Sequence, residues 1–438
     1  MRTFLLLSTL CLLAFALRMA ISQEKLDQNA AWQRSMGSVI HLNRESPIQK
    51  FAKSPQKLAP NYNIQEIETN QSIAKDTGLV LYANYLPPTL SWLIYVSDRW
   101  FSPIQSQSFI RMLSLISGSI LPALIFSLSS KLNYSKWVCL AVGLVATLSP
   151  PLILSSVITN HIALATLFFN CALFSAIRCH QTSGLLWGFT AGIALALSTL
   201  TNPNTIIPSI CLMATTLWTL RNKPNGWVAA TFLTVTFFAA LIPWHLQMSR
   251  SNDSFLPASS ETFASFWSGT IPENTNNDLT QIVAKEANPD AVAFLENPHL
   301  TESDRARWFA RDGLQRALQN QGAWISSRLA KACASYMGGF EFWNPTPLEK
   351  ETRSSFKAGC LAWYLLGLAL LAHLGITRIR QFSPQAALIF AAHFGWLIVV
   401  FFLASSNDLS WRAQMEPVFL MLAPAMLGNA KPRLESPN

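Results

Sequence analysis

Ten apolar segments alternate along the chain with polar connectors. Most of them have about the 18 residues that an α-helix needs to cross a hydrocarbon core of roughly 30 Å. The pattern therefore predicts ten membrane-spanning helices. Their predicted bounds are Phe4–Ala20, Phe109–Ser129, Lys136–Leu148, Ile158–Ile177, Leu185–Leu200, Thr205–Leu220, Trp227–Leu246, Cys360–Ile376, Ala386–Ala404 and Ala413–Leu427.

The first apolar segment has a second interpretation. Arg2 precedes it, and Ala14-Phe15-Ala16 resembles a signal-peptidase site. On that alternative the segment is a cleaved signal peptide, nine spans remain, and the N-terminus of the mature chain lies outside the membrane.

Two long polar segments interrupt the apolar pattern. Ile21–Ser108 mixes charged residues with aromatic clusters, and Gln247–Gly359 is rich in Asn, Asp, Glu and Pro. Within the second, Trp324–Trp343 has Arg328 and Lys331 among apolar residues, which predicts a helix in the membrane interface. We therefore expect an all-α integral membrane protein, with about ten transmembrane helices and interfacial helices in two outer loops. The predicted divisions are a membrane core (1–248, with outer loop 21–108), a second outer loop (249–359) and C-terminal transmembrane helices (360–438).

The composition excludes a soluble globular protein. Half of the 438 residues are hydrophobic and only 13% are charged, which is too few to cover a soluble surface of this size. The formal net charge of +9 does not indicate nucleic-acid binding, because Lys and Arg lie in short connectors between apolar segments. Nucleic acid is therefore not an expected partner.

The distribution of basic residues predicts the orientation. The short connectors Ser149–Thr159, Thr201–Asn204 and Ser405–Leu409 contain no Lys or Arg and are predicted to lie outside. Both termini are then cytoplasmic, the two long polar segments lie outside, and the short loops favour a bacterial inner membrane. The basic residues on the predicted cytoplasmic side are Arg2, Lys131, Lys136, Arg178, Arg221, Lys223, Arg378, Arg380, Lys431 and Arg433.

The candidate catalytic and binding residues cluster at the predicted outer boundary. Glu24 and Asp27 follow the first span, Arg111 begins the second, Arg250 follows the seventh and Arg412 begins the tenth. Arginine binds phosphate bidentately, and a carboxylate can act as a base on an acceptor hydroxyl. Together they suit a lipid phosphate ester that carries a sugar. Taken singly, each arginine is more often a snorkelling anchor, and Asp27 could be a solvated loop residue.

Short motifs also occur in a fixed order over most of the chain. They are Leu17-Arg18 with Asp27-Gln28, Leu86-Pro87-Pro88 with Ser91-Trp92-Leu93, Ile110-Arg111, Leu148-Ser149-Pro150-Pro151, Pro243-Trp244 with Arg250, and Trp411-Arg412 with Glu416-Pro417. The ordered series resembles the C-type membrane glycosyltransferases, in particular the protein O-mannosyltransferases and the lipid A aminoarabinose transferase.

The resemblance implies an inverting sugar transfer from a polyprenyl-phosphate donor on the non-cytoplasmic face. Asp27 would deprotonate the acceptor hydroxyl, with Glu24 as the reserve candidate. Arg412, with Arg250 or Arg111, would stabilise the charge on the departing phosphate. The expected partners are a polyprenyl-phosphate-linked sugar, membrane lipids, and a lipid, protein or polysaccharide acceptor.

The sequence departs from the family pattern at two places. Gln28 stands where the family has Glu, and Asn160-His161 replaces an acidic residue at the outer start of the fourth span. His161 keeps a role in acceptor binding open. A divalent metal is possible but not supported by these residues, and the seven cysteines show no spacing typical of a zinc site or a disulfide framework. No other cofactor is indicated.

Other functions stay open from the sequence. A glycan polymerase or ligase with a lipid-pyrophosphate donor predicts a more heavily basic outer loop. A lipid or solute transporter predicts paired halves with broken helices and buried carboxylates, and no predicted span has a central Asp or Glu. A catalytically inactive scaffold would tolerate the loss of both Asp27 and Arg412.

Overall fold

The protein is described from a computed structural model. The described residues are 2–28, 62–63, 80–81, isolated positions between 89 and 101, 103–132, 134–157, 161–252, 261–270, 302–337, 383–403 and 409–426. The helices are α1 (Arg2–Gln28), α2 (Pro103–Ser130), α3 (Lys136–Leu148), α4 (Pro150–Val157), α5 (Ile162–Thr182), α6 (Leu185–Thr201), α7 (Ile206–Leu220), α8 (Gly226–Asn252), α9 (Glu261–Gly269), α10 (Glu302–Gln319), α11 (Gln321–Met337), α12 (Pro384–Leu403) and α13 (Leu409–Met426).

Nine of the ten predicted spans overlap these helices, and the remaining one, Cys360–Ile376, lies outside the described residues. The overlap confirms helices at these places but not ten membrane crossings. The described secondary structure is helical apart from one short strand pair. Two short strands, β1 (Tyr62–Asn63) and β2 (Val80–Leu81), pair antiparallel within the first long polar segment. They are too short to change the helical character of the protein.

Four of the described helices are long and apolar enough to cross a membrane: Ser108–Ser130, Ile162–Thr182, Gly226–Leu246 and Pro384–Leu403. A fifth span is formed if the bent pair α3 and α4 crosses as one unit. Leu5–Ala20 and Leu185–Thr201 are shorter apolar helices. The chain is therefore a multi-pass membrane protein.

Helix α5 lies at the centre of the bundle, in contact with α2, α4, α6, α7, α12 and α13. Its core contacts are aromatic and aliphatic, as in the edge-on packing of Phe169 against Trp396 with ring centroids 5.8 Å apart. Large apolar side chains such as Leu12, Leu186 and Phe238 point outwards and are exposed. Apolar side chains both in the core and on the outer surface are typical of a helix bundle that faces lipid.

Helices α6 and α8 approach each other most closely at two glycines one turn apart. A methyl group on Gly188 would lie 2.4 Å from the carbonyl oxygen of Ala229, and one on Gly192 would lie 2.5 Å from that of Leu233. Small residues four apart allow such backbone contact between membrane helices. The sequence Gly188-x-x-x-Gly192 therefore forms the α6–α8 interface.

We expect Gly192→Ala to destabilise the protein, because the added methyl group cannot fit without separating α6 from α8. Overpacking of this kind costs about 1–3 kcal/mol. Thermal unfolding of the purified protein in detergent measures the loss. Gly322→Ala on α11 is the control, since nothing lies within 4 Å of the position that its methyl group would take. Equal melting temperatures for the two variants would contradict the proposed close contact.

We call the end of the bundle that contains the last turns of α1 and the first turns of α2 the outer end, after its predicted orientation. The chain direction alternates between helices, so this end also contains the α3–α4 bend, the start of α5 and the start of α13. Leu10 on α1 packs with Ala123 and Phe126 on α2, which confirms that these two helices run antiparallel.

Helices α9 to α11 of the second long polar segment pack over the outer end. Thr262 Oγ1 donates a hydrogen bond to Asn204 Oδ1 at 3.0 Å, and Trp324 lies edge-on to Phe401 at 5.9 Å between ring centroids. The helix predicted at Trp324–Trp343 corresponds to α11, with residues 338–343 outside the described residues. This part of the segment therefore packs against the bundle, and its position in the membrane interface stays a prediction.

Arg328 on α11 is buried instead of snorkelling towards the interface. Its Nη2 donates to the carbonyl oxygen of Phe266 at 2.7 Å, and Gly269 provides the space for its guanidinium group. Burial lowers the pKa of Arg328 to about 10, so it remains cationic at neutral pH. Arg328 thus fastens α11 to α9.

Candidate active site

The last turns of α1 lie beside the first turns of α2. Arg18 on α1 is level with Gly118 on α2, because a methyl group on Gly118 would lie 3.2 Å from Arg18 Nε. Following both antiparallel helices outwards at about 1.5 Å per residue brings the backbone of Glu24 level with that of Arg111. Asp27 follows one turn later. The predicted carboxylates and the predicted phosphate ligand Arg111 therefore share one end of one helix pair.

Helix α1 continues to Gln28, so Glu24 and Asp27 belong to its end and not to a loop. Their side chains, and that of Arg250 near the end of α8, lie outside the described part of the structure. Arg111 is half-buried. The catalytic and binding roles of these four residues stay predictions.

Arg18 on α1 is a completely buried cation. It belongs to the Leu17-Arg18 motif, from which no role for it was predicted. Its Nε donates to Ser156 Oγ at 3.0 Å and its Nη1 to the carbonyl oxygen of Ala14 at 3.1 Å. Gly118 lies against Ser156, where a Cβ atom would come within 2.3 Å of the serine Cβ. Arg18 therefore fastens α4 to α1, and the absent side chain of Gly118 lets α4 approach α2.

Helices α3 and α4 are separated by a bend of 61°. Ser149 is extended, as a residue before proline tends to be, and Pro150 begins the next helix, where its missing N–H is not needed. Residues 149–159 are predicted from the sequence to form a short outer connector. In the structure Pro150–Val157 is a helix, and Leu152 and Ser156 are buried within the bundle.

Arg412 on α13 forms a buried ion pair with Glu416 one turn later. Arg412 Nε lies 2.6 Å from Glu416 Oε2, and each residue is 5% exposed. Ser149 Oγ at the α3–α4 bend donates a hydrogen bond to Glu416 Oε1 at 3.1 Å. The guanidinium carbon of Arg412 is 4.9 Å from the ring centroid of Phe419. Glu416 thus holds Arg412 in position and joins α13 to the bend.

Glu416 is not among the residues predicted to act at the site, although its spacing from Arg412 indicates a pair. Residues four apart share one face of a helix, so an Arg and a Glu at this spacing can pair. A buried arginine needs such a partner, because an uncompensated charge away from water is costly. The result is one carboxylate buried near the outer end of a predicted span.

His161 directly precedes α5 at the outer end and is half-buried. Its carbonyl oxygen accepts the backbone N–H of Ala165 at 2.9 Å, which begins the helix. Its proposed contact with an acceptor stays a prediction. Among the described residues, no group of three or more His, Cys, Asp or Glu could hold a metal ion.

No protein-family model matches the chain, and no curated protein matches it. The solved structures that are similar to it include the following two. One is the archaeal oligosaccharyltransferase AglB from Archaeoglobus fulgidus in complex with an inhibitory peptide and a dolichol-phosphate. It is 13% identical, with a TM-score of 0.45, over 85% of this chain and 47% of that chain. This chain therefore spans about half the length of that protein.

The other is ArnT from Cupriavidus metallidurans bound to undecaprenyl phosphate. It is 14% identical, with a TM-score of 0.33, over 91% of this chain and 79% of that chain. Both are C-type membrane glycosyltransferases, the family that the sequence motifs resemble.

Proposed function

We propose that the protein is a membrane glycosyltransferase that moves a sugar from a polyprenyl-phosphate donor to an acceptor at the outer end of the bundle. The observation that carries the proposal is the composition of this end. The α1 terminus with Glu24 and Asp27 lies beside Arg111 on α2, and Arg412 is held by Glu416 on α13, which contacts α2. A carboxylate and several guanidinium groups at one membrane boundary suit a sugar phosphate ester.

In the proposed reaction the acceptor hydroxyl attacks the anomeric carbon of the sugar. Asp27 takes the hydroxyl proton, the new glycosidic bond forms, and the bond between the sugar and the phosphate oxygen breaks with inversion. The leaving group is a lipid phosphate, which departs without a strong general acid. Arg412, with Arg111 or Arg250, stabilises the negative charge that grows on the phosphate.

The ion pair with Glu416 supports this role for Arg412. An arginine fixed by a buried carboxylate does not have to be ordered when the phosphate arrives, so its contribution is preorganised. Helices α9 to α11 over the outer end would limit access of water to the reacting atoms. His161, at the start of α5, is the candidate contact for the acceptor.

The test is turnover of synthetic lipid-linked sugars by the purified full chain. Polyprenyl-monophosphate and polyprenyl-pyrophosphate donors with several sugars are offered together with a membrane extract as acceptor. We expect release of the lipid monophosphate from at least one monophosphate donor. Turnover of pyrophosphate donors alone would favour a polymerase or ligase. No turnover of either class would reject the transferase and leave the transporter and scaffold alternatives.

A further inference from the structure

The middle of the chain is strongly unbalanced in charge. Between Asp98 and Asp253 there is no Asp or Glu, whereas eight Lys and Arg residues occur in the same stretch. Five of the eight lie at the end of the bundle opposite the outer end, in or beside the connectors that join α2 to α3, α5 to α6 and α7 to α8. They are Lys131, Lys136, Arg178, Arg221 and Lys223.

Three of these cations belong to one structural unit. Lys223 Nζ donates a hydrogen bond to the carbonyl oxygen of His180, which joins the α7–α8 connector to the end of α5. Beneath this contact, Cys179 and Leu220 are buried in one cluster with Ala229. Arg178 and Arg221 lie next to Cys179 and Leu220 in the chain, so their backbones belong to the same end of this unit.

The guanidinium group of each arginine in this unit lies over a tryptophan ring. The guanidinium carbon of Arg221 is 3.6 Å from the ring centroid of Trp218, and that of Arg178 is 5.3 Å from the ring centroid of Trp187. Cation–π contacts hold the charges at the surface without neutralising them. We call Arg178, Arg221, Lys223, Trp187 and Trp218 together the basic patch.

The start of α6 adds partial positive charge to the basic patch. Gly184 is its N-cap residue and supplies no side-chain hydrogen bond, and the first turn of α6 contains no acidic residue. The first backbone N–H groups of a helix lack partners within it and favour an anion. The first turn of α8 also contains no acidic residue, so its backbone N–H groups add partial positive charge at the same end of the bundle.

The surface next to the basic patch is apolar. Leu186 is 69% exposed and Trp218 is 65% exposed. Exposed leucine and tryptophan side chains at the end of a membrane bundle are typical of the boundary between acyl chains and head groups. A ligand that fits both surfaces has an anionic phosphate group and apolar chains.

We propose that the basic patch is a binding site for the head group of an anionic phospholipid. The phosphate lies between Arg178, Arg221 and Lys223 near the start of α6, and the acyl chains run along Leu186 and Trp218. The site lies at the end of the bundle opposite the candidate active site and is independent of the proposed transferase activity.

The test is a titration of the purified full chain with phosphatidylglycerol and, separately, phosphatidylcholine, with bound lipid counted by native mass spectrometry. One variant, Arg178→Gln/Arg221→Gln, removes two charges from the patch. The control, Lys131→Gln/Lys136→Gln, removes two charges from the same end outside it. Because the patch variant loses two charge-assisted contacts to the phosphate of the head group, we expect its phosphatidylglycerol binding to weaken by roughly tenfold or more.

The control variant is expected to bind phosphatidylglycerol within a few-fold of wild type, and phosphatidylcholine is expected to bind weakly to all three proteins. Equal losses in the two variants would indicate diffuse attraction and overturn the site. Displacement of the lipid by millimolar inorganic phosphate would identify a site for free phosphate and overturn the lipid assignment. Melting temperatures of the lipid-free proteins confirm that each variant is folded.

Discussion

Asp27→Asn is expected to lower kcat for turnover of the lipid-linked sugar by about 10²–10⁴-fold. Asparagine keeps the size and polarity of the side chain but cannot accept the proton of the acceptor hydroxyl. The donor should still bind, because the proposed phosphate ligands are arginines. Release of the carrier phosphate under saturating donor measures the change.

The matched control for this prediction is Glu24→Gln on the same end of α1, one turn earlier. If Asp27 is the base, Glu24→Gln retains turnover close to that of wild type. Loss of turnover in Glu24→Gln alone would move the base to Glu24. Full turnover in both variants would rule out a base on this helix end and require another residue for the proton transfer.

Glu416→Ala is expected to cause the largest loss of stability among single substitutions in the candidate site. It leaves Arg412, which is 5% exposed, without its carboxylate, and removes the acceptor of the Ser149 hydroxyl. Removal of one partner from a buried ion pair costs about 3–5 kcal/mol. Unfolding in a denaturing detergent, followed by tryptophan fluorescence, measures the difference. Ser149→Ala loses only one hydrogen bond and should cost about 1 kcal/mol.

The double variant Arg412→Met/Glu416→Leu separates the structural role of this pair from its proposed catalytic role. Replacing a buried ion pair by apolar residues of similar volume is often neutral or stabilising. We therefore expect the double variant to be about as stable as wild type. It should have no turnover, because the proposed phosphate ligand Arg412 is gone. A stable double variant with wild-type turnover would show that Arg412 does not act on the donor.

The membrane helices could be predicted because their information is local. The bounds predicted for the third span, Lys136–Leu148, are those of α3, and the hydroxyl of Ser135 accepts the N–H of Val138 to cap it. Apolar length and the residues that begin and end a helix are both visible in a short window of sequence. The grouping of polar residues at one end follows from the alternating direction of successive spans.

The contacts that organise the candidate site could not be predicted in the same way. Ser149 and Glu416 are 267 residues apart, and Arg18 and Ser156 are 138 apart. Local periodicity contains no information on such pairs. The burial of Ser156 on α4 depends on Gly118, whose missing side chain leaves room for it. A serine–proline sequence predicts a bend but not the partner against which the following helix packs.

The glycine contact between α6 and α8 closes one half of the seam between these helices. At Gly188 and Gly192, in the first two turns of α6, the backbones lie so close that even one methyl group does not fit between them. A lipid tail cannot enter the seam at this level unless the two helices separate. A donor lipid that reached the proposed site from the side would therefore have to enter nearer the outer end or between other helices.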